Sequence, residues 1–148
     1  MTDDAAVQSL LDIEAIKVLR SRYTRSIDTK DWDLFRDCLS ENSRLVTEGG
    51  VQEGRDTIVA GISAALATPI TVHHVHQPEI VLTGPDSATG VWAMNDIVEF
   101  QRDGKPVFFL RGYGHYTDGY IRTGDGWKIS SSTLSRLRVD TEGEYPGA

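Results

Sequence analysis

Residues 88–101 read ATGVWAMNDIVEFQ, and their alternation decides the fold. Trp92, Met94, Asp96, Val98 and Phe100 fall at every second position, the period of a β-strand with one buried face. Similar strand-like runs flank this one: Ile70 to Leu82 before it, Pro106 to Asp118 and Trp127 to Leu137 after it. The segments between them, TGPDS, RDGK and RTGDG, carry the Gly, Pro and Asp residues that tight turns demand. Towards the N-terminus the period changes. Ile16, Leu19, Tyr23 and Ile27 recur at three, four and four, which forms one apolar stripe on a helix. Asp31 can cap a second, short helix bearing Trp32, Phe35 and Leu39. Ser43 to Thr47 reads as a short strand, Gly49 and Gly50 turn the chain, and a helix follows from Arg55 to about Ala67, ahead of Thr68 and Pro69. Helices first and a strand meander afterwards predict an α+β domain built on a strongly bent antiparallel sheet.

At 148 residues the chain suits one domain with a single core. We place that domain at 1–138 and read 139–148, rich in Gly, Glu and Pro, as a loose tail. With 39% hydrophobic and 25% charged residues, the composition is that of a soluble globular protein, and no apolar run approaches the ~20 residues of a membrane span. Met1 to Ala6 is acidic and lacks the basic start of a secretory signal. A net charge of −7 without a local Lys/Arg cluster excludes attraction to phosphate backbones. The expected partner is therefore a small apolar molecule, not nucleic acid or membrane. Cys38 is the single cysteine, which excludes an internal disulfide, agrees with a reducing cytoplasm and suits a thiol buried beside Leu34 and Phe35.

The residues that could carry chemistry cluster in two segments, YTRSIDTKDW at 23–32 and VHHVH at 72–76. Asp28 falls at the C-terminal end of the first helix, where a carboxylate opposes the helix dipole at a cost of roughly 0.3–1 kcal/mol. A residue disfavoured locally is a candidate for function. Asp96 interrupts an otherwise apolar strand face, which would favour its neutral form unless a cation answers it. On the next strand Arg111, Tyr113 and His115 share one face, and Leu110, Gly112, Gly114 and Tyr116 the other. Arg111 is the candidate partner for Asp96. His73 and His74 point to opposite sides of their strand, and parity alone leaves open which faces a cavity. His74 and His76 share a face, yet no third or fourth ligand accompanies them, so no metal site is expected.

The ordered set Tyr23-x4-Asp28-x2-Asp31-Trp32, Gly54-Arg55-Asp56, His73-His74 ahead of Pro78 and Ile80, DSATG at 86–90 and GWKI at 126–129 resembles the SnoaL-like branch of the nuclear transport factor 2-like superfamily. It spans nearly the whole chain. The resemblance implies a cone, in which a curved sheet wraps an apolar pocket and N-terminal helices close its mouth. Within the superfamily the chain is most similar to the dehydratase-type branch, which includes the scytalone dehydratase and bile acid 7α-dehydratase groups. That likeness implies a His–Asp dyad of His73 and Asp28, with Tyr23 and Asp96 completing the catalytic set, no cofactor, and a homodimer or homotrimer.

Elimination of water β to a carbonyl needs a base for the α-proton, a donor for the developing oxyanion and an acid for the departing hydroxyl. His73 would be the base, oriented by Asp28. Tyr23, aided by Tyr113, would hold the oxyanion. A protonated Asp96, or else His115, would serve the leaving group. Trp92, Met94 and Phe100 would shape the pocket, with Arg111, Tyr113 and His115 at its polar side. Isomerase or cyclase chemistry through the same enolate, and plain binding of an apolar ligand, are the alternatives these residues leave open. A core residue of the helix stripe, its hydroxyl satisfied, is the lesser alternative for Tyr23.

Overall fold

The structure, a computed structural model, describes residues 3 to 147. Met1, Thr2 and Ala148, the outermost positions of the acidic start and of the expected tail, lie outside the described residues. Among the described residues three helices, α1 (Asp3–Thr29), α2 (Trp32–Asp37) and α3 (Arg55–Leu66), pack on one six-stranded sheet. Its strands are β1 (Leu39–Thr47), β2 (Gly50–Glu53), β3 (Ile70–Gly84), β4 (Ser87–Arg102), β5 (Lys105–Thr123) and β6 (Gly126–Gly143), in the order β2-β1-β6-β5-β4-β3. The sheet is curved and unclosed, as the cone requires.

The helix stripe is core. Ile16, Leu19, Tyr23 and Ile27 are all buried, packed with Phe35, Leu39, Ile58 and Ile129 under α2, β1, α3 and β6. Asp31 caps α2, accepting the Leu34 amide at 3.0 Å. Cys38 is buried in the same cluster, and burial pushes its thiol up to about 11, as expected for an inert packing residue. In the N-terminal half of α1, Asp12 accepts two bonds from the Arg122 guanidinium, at 2.9 and 2.7 Å, and one from the Trp127 indole at 3.2 Å. These bonds fasten the helix to the β5–β6 hairpin.

Three features of the sheet were not legible in the sequence. The sheet is not wholly antiparallel, because β1 pairs with β6 in parallel while every other pair is antiparallel. A short strand, β2, follows the Gly49–Gly50 turn. The segment from Val139 is not a loose tail: β6 continues to Gly143 in register with Phe108. Tyr145 then packs its ring on Phe100 and Phe108, with centroids 5.3 and 5.4 Å apart. The 19-residue β5 supplies the partner backbone that keeps this polar stretch extended.

Candidate functional site

Asp28 occupies the last turn of α1, and its carboxylate accepts three bonds from the start of β3. The Thr71 hydroxyl donates to Oδ1 at 2.9 Å, the His73 amide donates to Oδ2 at 2.8 Å, and His73 Nδ1 lies 2.6 Å from Oδ1. These contacts settle the strand parity. Thr71 and His73 face inward, and the His73 side chain is only 7% exposed, whereas His74 and His76 point to solvent. His76 Nε2 instead meets Asn95 Oδ1 across the strand at 2.7 Å. Among the described residues no group of three His, Cys, Asp or Glu side chains could hold a metal.

Register places the second carboxylate. His73 pairs with Asp96 on β4, so the two side chains emerge side by side, with Nε2 3.9 Å from Asp96 Oδ2. Asp96 is 4% exposed and is answered by a cation, but that cation is Arg136 of β6, through bidentate bonds of 2.5 and 2.8 Å. Arg111, the expected partner, sits on the opposite face, where it pairs with Glu142 at 3.2 Å and stacks 4.2 Å over the Phe109 ring. The guanidinium of Arg136 reaches across β5 because Gly112 carries no side chain: a Cβ there would overlap both Arg136 and Asp96. Burial works against the charge of Arg136, yet its bonds to Asp96 and that neighbour's negative charge raise its pKa further. Asp96 therefore meets a fixed cation and not the purely apolar surroundings that its strand face suggested.

Tyr23 from α1 and Tyr116 from β5 complete the polar wall. Desolvation pushes the Tyr23 hydroxyl up to about 12 and that of Tyr116 higher still, while the neighbouring Arg20 charge pulls both down. Both tyrosines are therefore neutral donors at pH 7. Arg20 is fully buried behind them, 4.3 Å from the Tyr23 ring centroid and 3.8 Å from that of Tyr116, with its Nε 3.5 Å from Asp118. Tyr113 and His115 occupy the outer face of β5, with Tyr113 41% exposed, and neither reaches the site.

Tyr23, His73, Asp96, Tyr116 and Arg136 line a cavity of about 260 Å³, a size that suits a small molecule. The apolar wall is Ile27, Leu45, Ile62, Leu66, Val98 and Leu134. Trp92, Met94 and Phe100 do share the inward face of β4, as the alternation predicts, but they lie elsewhere along it. Trp92 donates to the Tyr120 hydroxyl at 2.9 Å, Met94 packs on Tyr116, and Phe100 stacks against Tyr145. Sequence reasoning missed Arg136, Tyr116 and the α3 wall. The spacing of Ile58, Ile62 and Leu66 carried a signal for the last.

Residues 8–133 match the model of the SnoaL-like domain. The chain belongs to the SnoaL-like family. A relative within reach of sequence comparison is terrestric acid biosynthesis cluster protein E of Penicillium crustosum, 31% identical over 133 residues that cover 85% of this chain and 83% of the relative. Among solved structures, a candidate scytalone dehydratase of Novosphingobium aromaticivorans superposes with a TM-score of 0.83 at 17% identity, covering 95% of this chain and 93% of that one. A type 2 hexachlorocyclohexane dehydrochlorinase superposes at 0.82 and 16% identity, covering 97% and 99%. At such identities the superpositions establish the nuclear transport factor 2-like fold of this SnoaL-like chain, a fold shared with enzymes that convert small molecules. No helix of the described residues is long and apolar enough to cross a membrane.

Proposed function

We propose that this SnoaL-like protein is a cofactor-independent lyase of the dehydratase type, acting on a small carbonyl-bearing or aromatic molecule. The observation that carries the reading is the 2.6 Å contact between His73 and Asp28 at the wall of a largely apolar cavity. A structural histidine needs no carboxylate fixing one ring nitrogen while the other is aimed at a cavity, whereas a general base needs both.

In the proposed cycle Asp28 accepts the Nδ1 hydrogen of neutral His73, leaving Nε2 as the acceptor. His73 Nε2 removes the proton α to the carbonyl, and Asp28 stabilises the imidazolium that forms. The carbonyl oxygen gains charge as the enolate develops. Neutral Tyr23 and Tyr116 donate to that oxygen, and the Arg136 guanidinium adds a fixed positive charge at the same wall. The enolate then re-forms its carbonyl, a carbon–carbon double bond forms, and the β carbon–oxygen bond breaks. The departing hydroxyl takes the proton from His73, so water leaves and the histidine is neutral again. This return of the proton replaces the acid role first expected of Asp96, whose carboxylate instead holds Arg136 in place.

Imidazole is a modest base, so the substrate is a molecule whose α-hydrogen is already acidified by a ketone, thioester or phenol-like ring. The test is incubation of the purified protein with a panel of β-hydroxy ketones and β-hydroxy thioesters in heavy water, followed by mass spectrometry. Loss of water that disappears in His73→Ala supports the proposal. Deuterium uptake or double-bond migration without water loss replaces it with an isomerase, and inertness across compounds that bind the cavity leaves a binding protein.

A further inference from the structure

The imidazole of His73 is bracketed by two carboxylates, Asp28 of α1 2.6 Å from Nδ1 and Asp96 of β4 3.9 Å from Nε2. Either one favours the imidazolium, the form that cannot accept a proton. Asp96 is offset by Arg136 of β6, whose far side meets Glu48 at 4.0 Å, and the two tyrosines, Tyr23 of α1 and Tyr116 of β5, are neutral. Arg20 lies against those two tyrosines, and a further cation, Lys30, two residues beyond Asp28, joins the Asp28 side of the network. Its ammonium donates to the Thr71 hydroxyl at 3.1 Å, and that hydroxyl donates to Asp28 Oδ1 at 2.9 Å.

Lys30 reaches Thr71 from an unfavourable backbone position. α1 closes with the Asp31 amide donating to the Ser26 carbonyl at 2.9 Å and the Lys30 amide donating to the Ile27 carbonyl at 3.2 Å, the paired bonds of a Schellman ending. Lys30 is the residue after the cap, with φ 60°, a left-handed conformation for which glycine is favoured. The other non-glycine residue with positive φ among those described, Asp103, lies in the RDGK turn, where a short polar side chain is at home. A long side chain at this φ opposes the backbone preference, and partial burial of its ammonium, which lowers its own pKa, opposes solvation of the charge.

We propose that Lys30 is a positioning residue which, through the Thr71 hydroxyl, orients Asp28 and supplies the counter-charge that keeps His73 in its neutral, proton-accepting form. This rests on the reading of His73 as the base, and it extends the site to two carboxylates matched by two cations. Lys30 does not line the cavity, so it acts only through Asp28.

The test uses the full chain, ¹⁵N-labelled, with the imidazolium-to-imidazole ratio of His73 read from side-chain ¹H–¹⁵N correlations at a fixed pH near 7. In Lys30→Met, which keeps the stem and removes the charge, the ratio rises about threefold or more, corresponding to roughly half a pH unit of lost electrostatic support. Lys30→Gly, which also relaxes the turn, gives the same rise, Thr71→Val gives a rise by breaking the bridge, and Lys30→Arg restores the parent ratio. The Lys30 variants melt within about 3 °C of the parent. A ratio unchanged in both Lys30→Met and Lys30→Gly, a ratio that Lys30→Arg fails to restore, or a change seen only with a larger fall in melting temperature overturns the proposal. An inactive parent protein would instead sink the lyase reading without altering this ratio.

Discussion

Replacing Arg136 by Met retains most of the side-chain volume and strands the Asp96 carboxylate. That carboxylate is 4% exposed and, among the described side chains, receives both of its hydrogen bonds from the guanidinium. Breaking one side of such a buried pair costs about 3–5 kcal/mol. In a domain of this size each kcal/mol moves the melting temperature by about 2–4 °C, so a fall of roughly 6–20 °C is expected. Asp96→Asn combined with Arg136→Met removes the stranded charge and recovers most of the loss. Thermal or urea unfolding of the parent, the two single variants and the double variant completes the cycle. A double variant as unstable as Arg136→Met alone refutes the assignment of Arg136 as the charge that answers Asp96.

Other expectations concern the site and its frame. His73→Ala and Asp28→Asn should each lower kcat by about 10²–10⁴ in the elimination assay, while circular dichroism shows a fold like that of the parent. Trp127→Ala empties a buried position and loses the indole bond to Asp12; it should cost about 3–5 kcal/mol in urea unfolding. The Arg122 guanidinium holds the Asp12 carboxyl below its usual range, against the opposing effect of burial. Because that pKa is depressed in the folded state, its stabilisation is present above the unfolded value of about 4 and is lost as pH falls through the folded one. Asp12→Asn should accordingly melt lower than the parent at pH 7, with the gap narrowing below about pH 4.

Local periodicity carried most of the architecture into the sequence. The stripe of α1, the Asp31 cap and the four long strands each depend on neighbours a few residues away, so their spacing is visible without coordinates. The parallel pairing of β1 with β6 depends on which distant segments meet, and neither strand's pattern encodes its partner. The same distinction runs through the site. Asp96 stood out because it interrupts an apolar face, but its cation lies 40 residues away on another strand, and only register distinguishes Arg136 from Arg111. His73 could not be separated from His74 until Asp28 was seen to accept the His73 backbone amide. Alternation correctly assigned Trp92, Met94 and Phe100 to the inner face of β4, yet gave no position along the cone. They therefore fill its core and far end, leaving Val98 to face the cavity. The polar stretch from Val139 resembled a tail because its strand character comes from the length of β5, not from its own residues.

The central claim is that His73 presents an unprotonated Nε2 to the cavity because Asp28 holds the hydrogen on Nδ1. Long-range ¹H–¹⁵N correlation of the His73 side chain near neutral pH reads this directly. A neutral ring bearing its hydrogen on Nδ1 is expected, with that preference lost in Asp28→Asn. A hydrogen on Nε2, or a tautomer unaffected by Asp28→Asn, would contradict it.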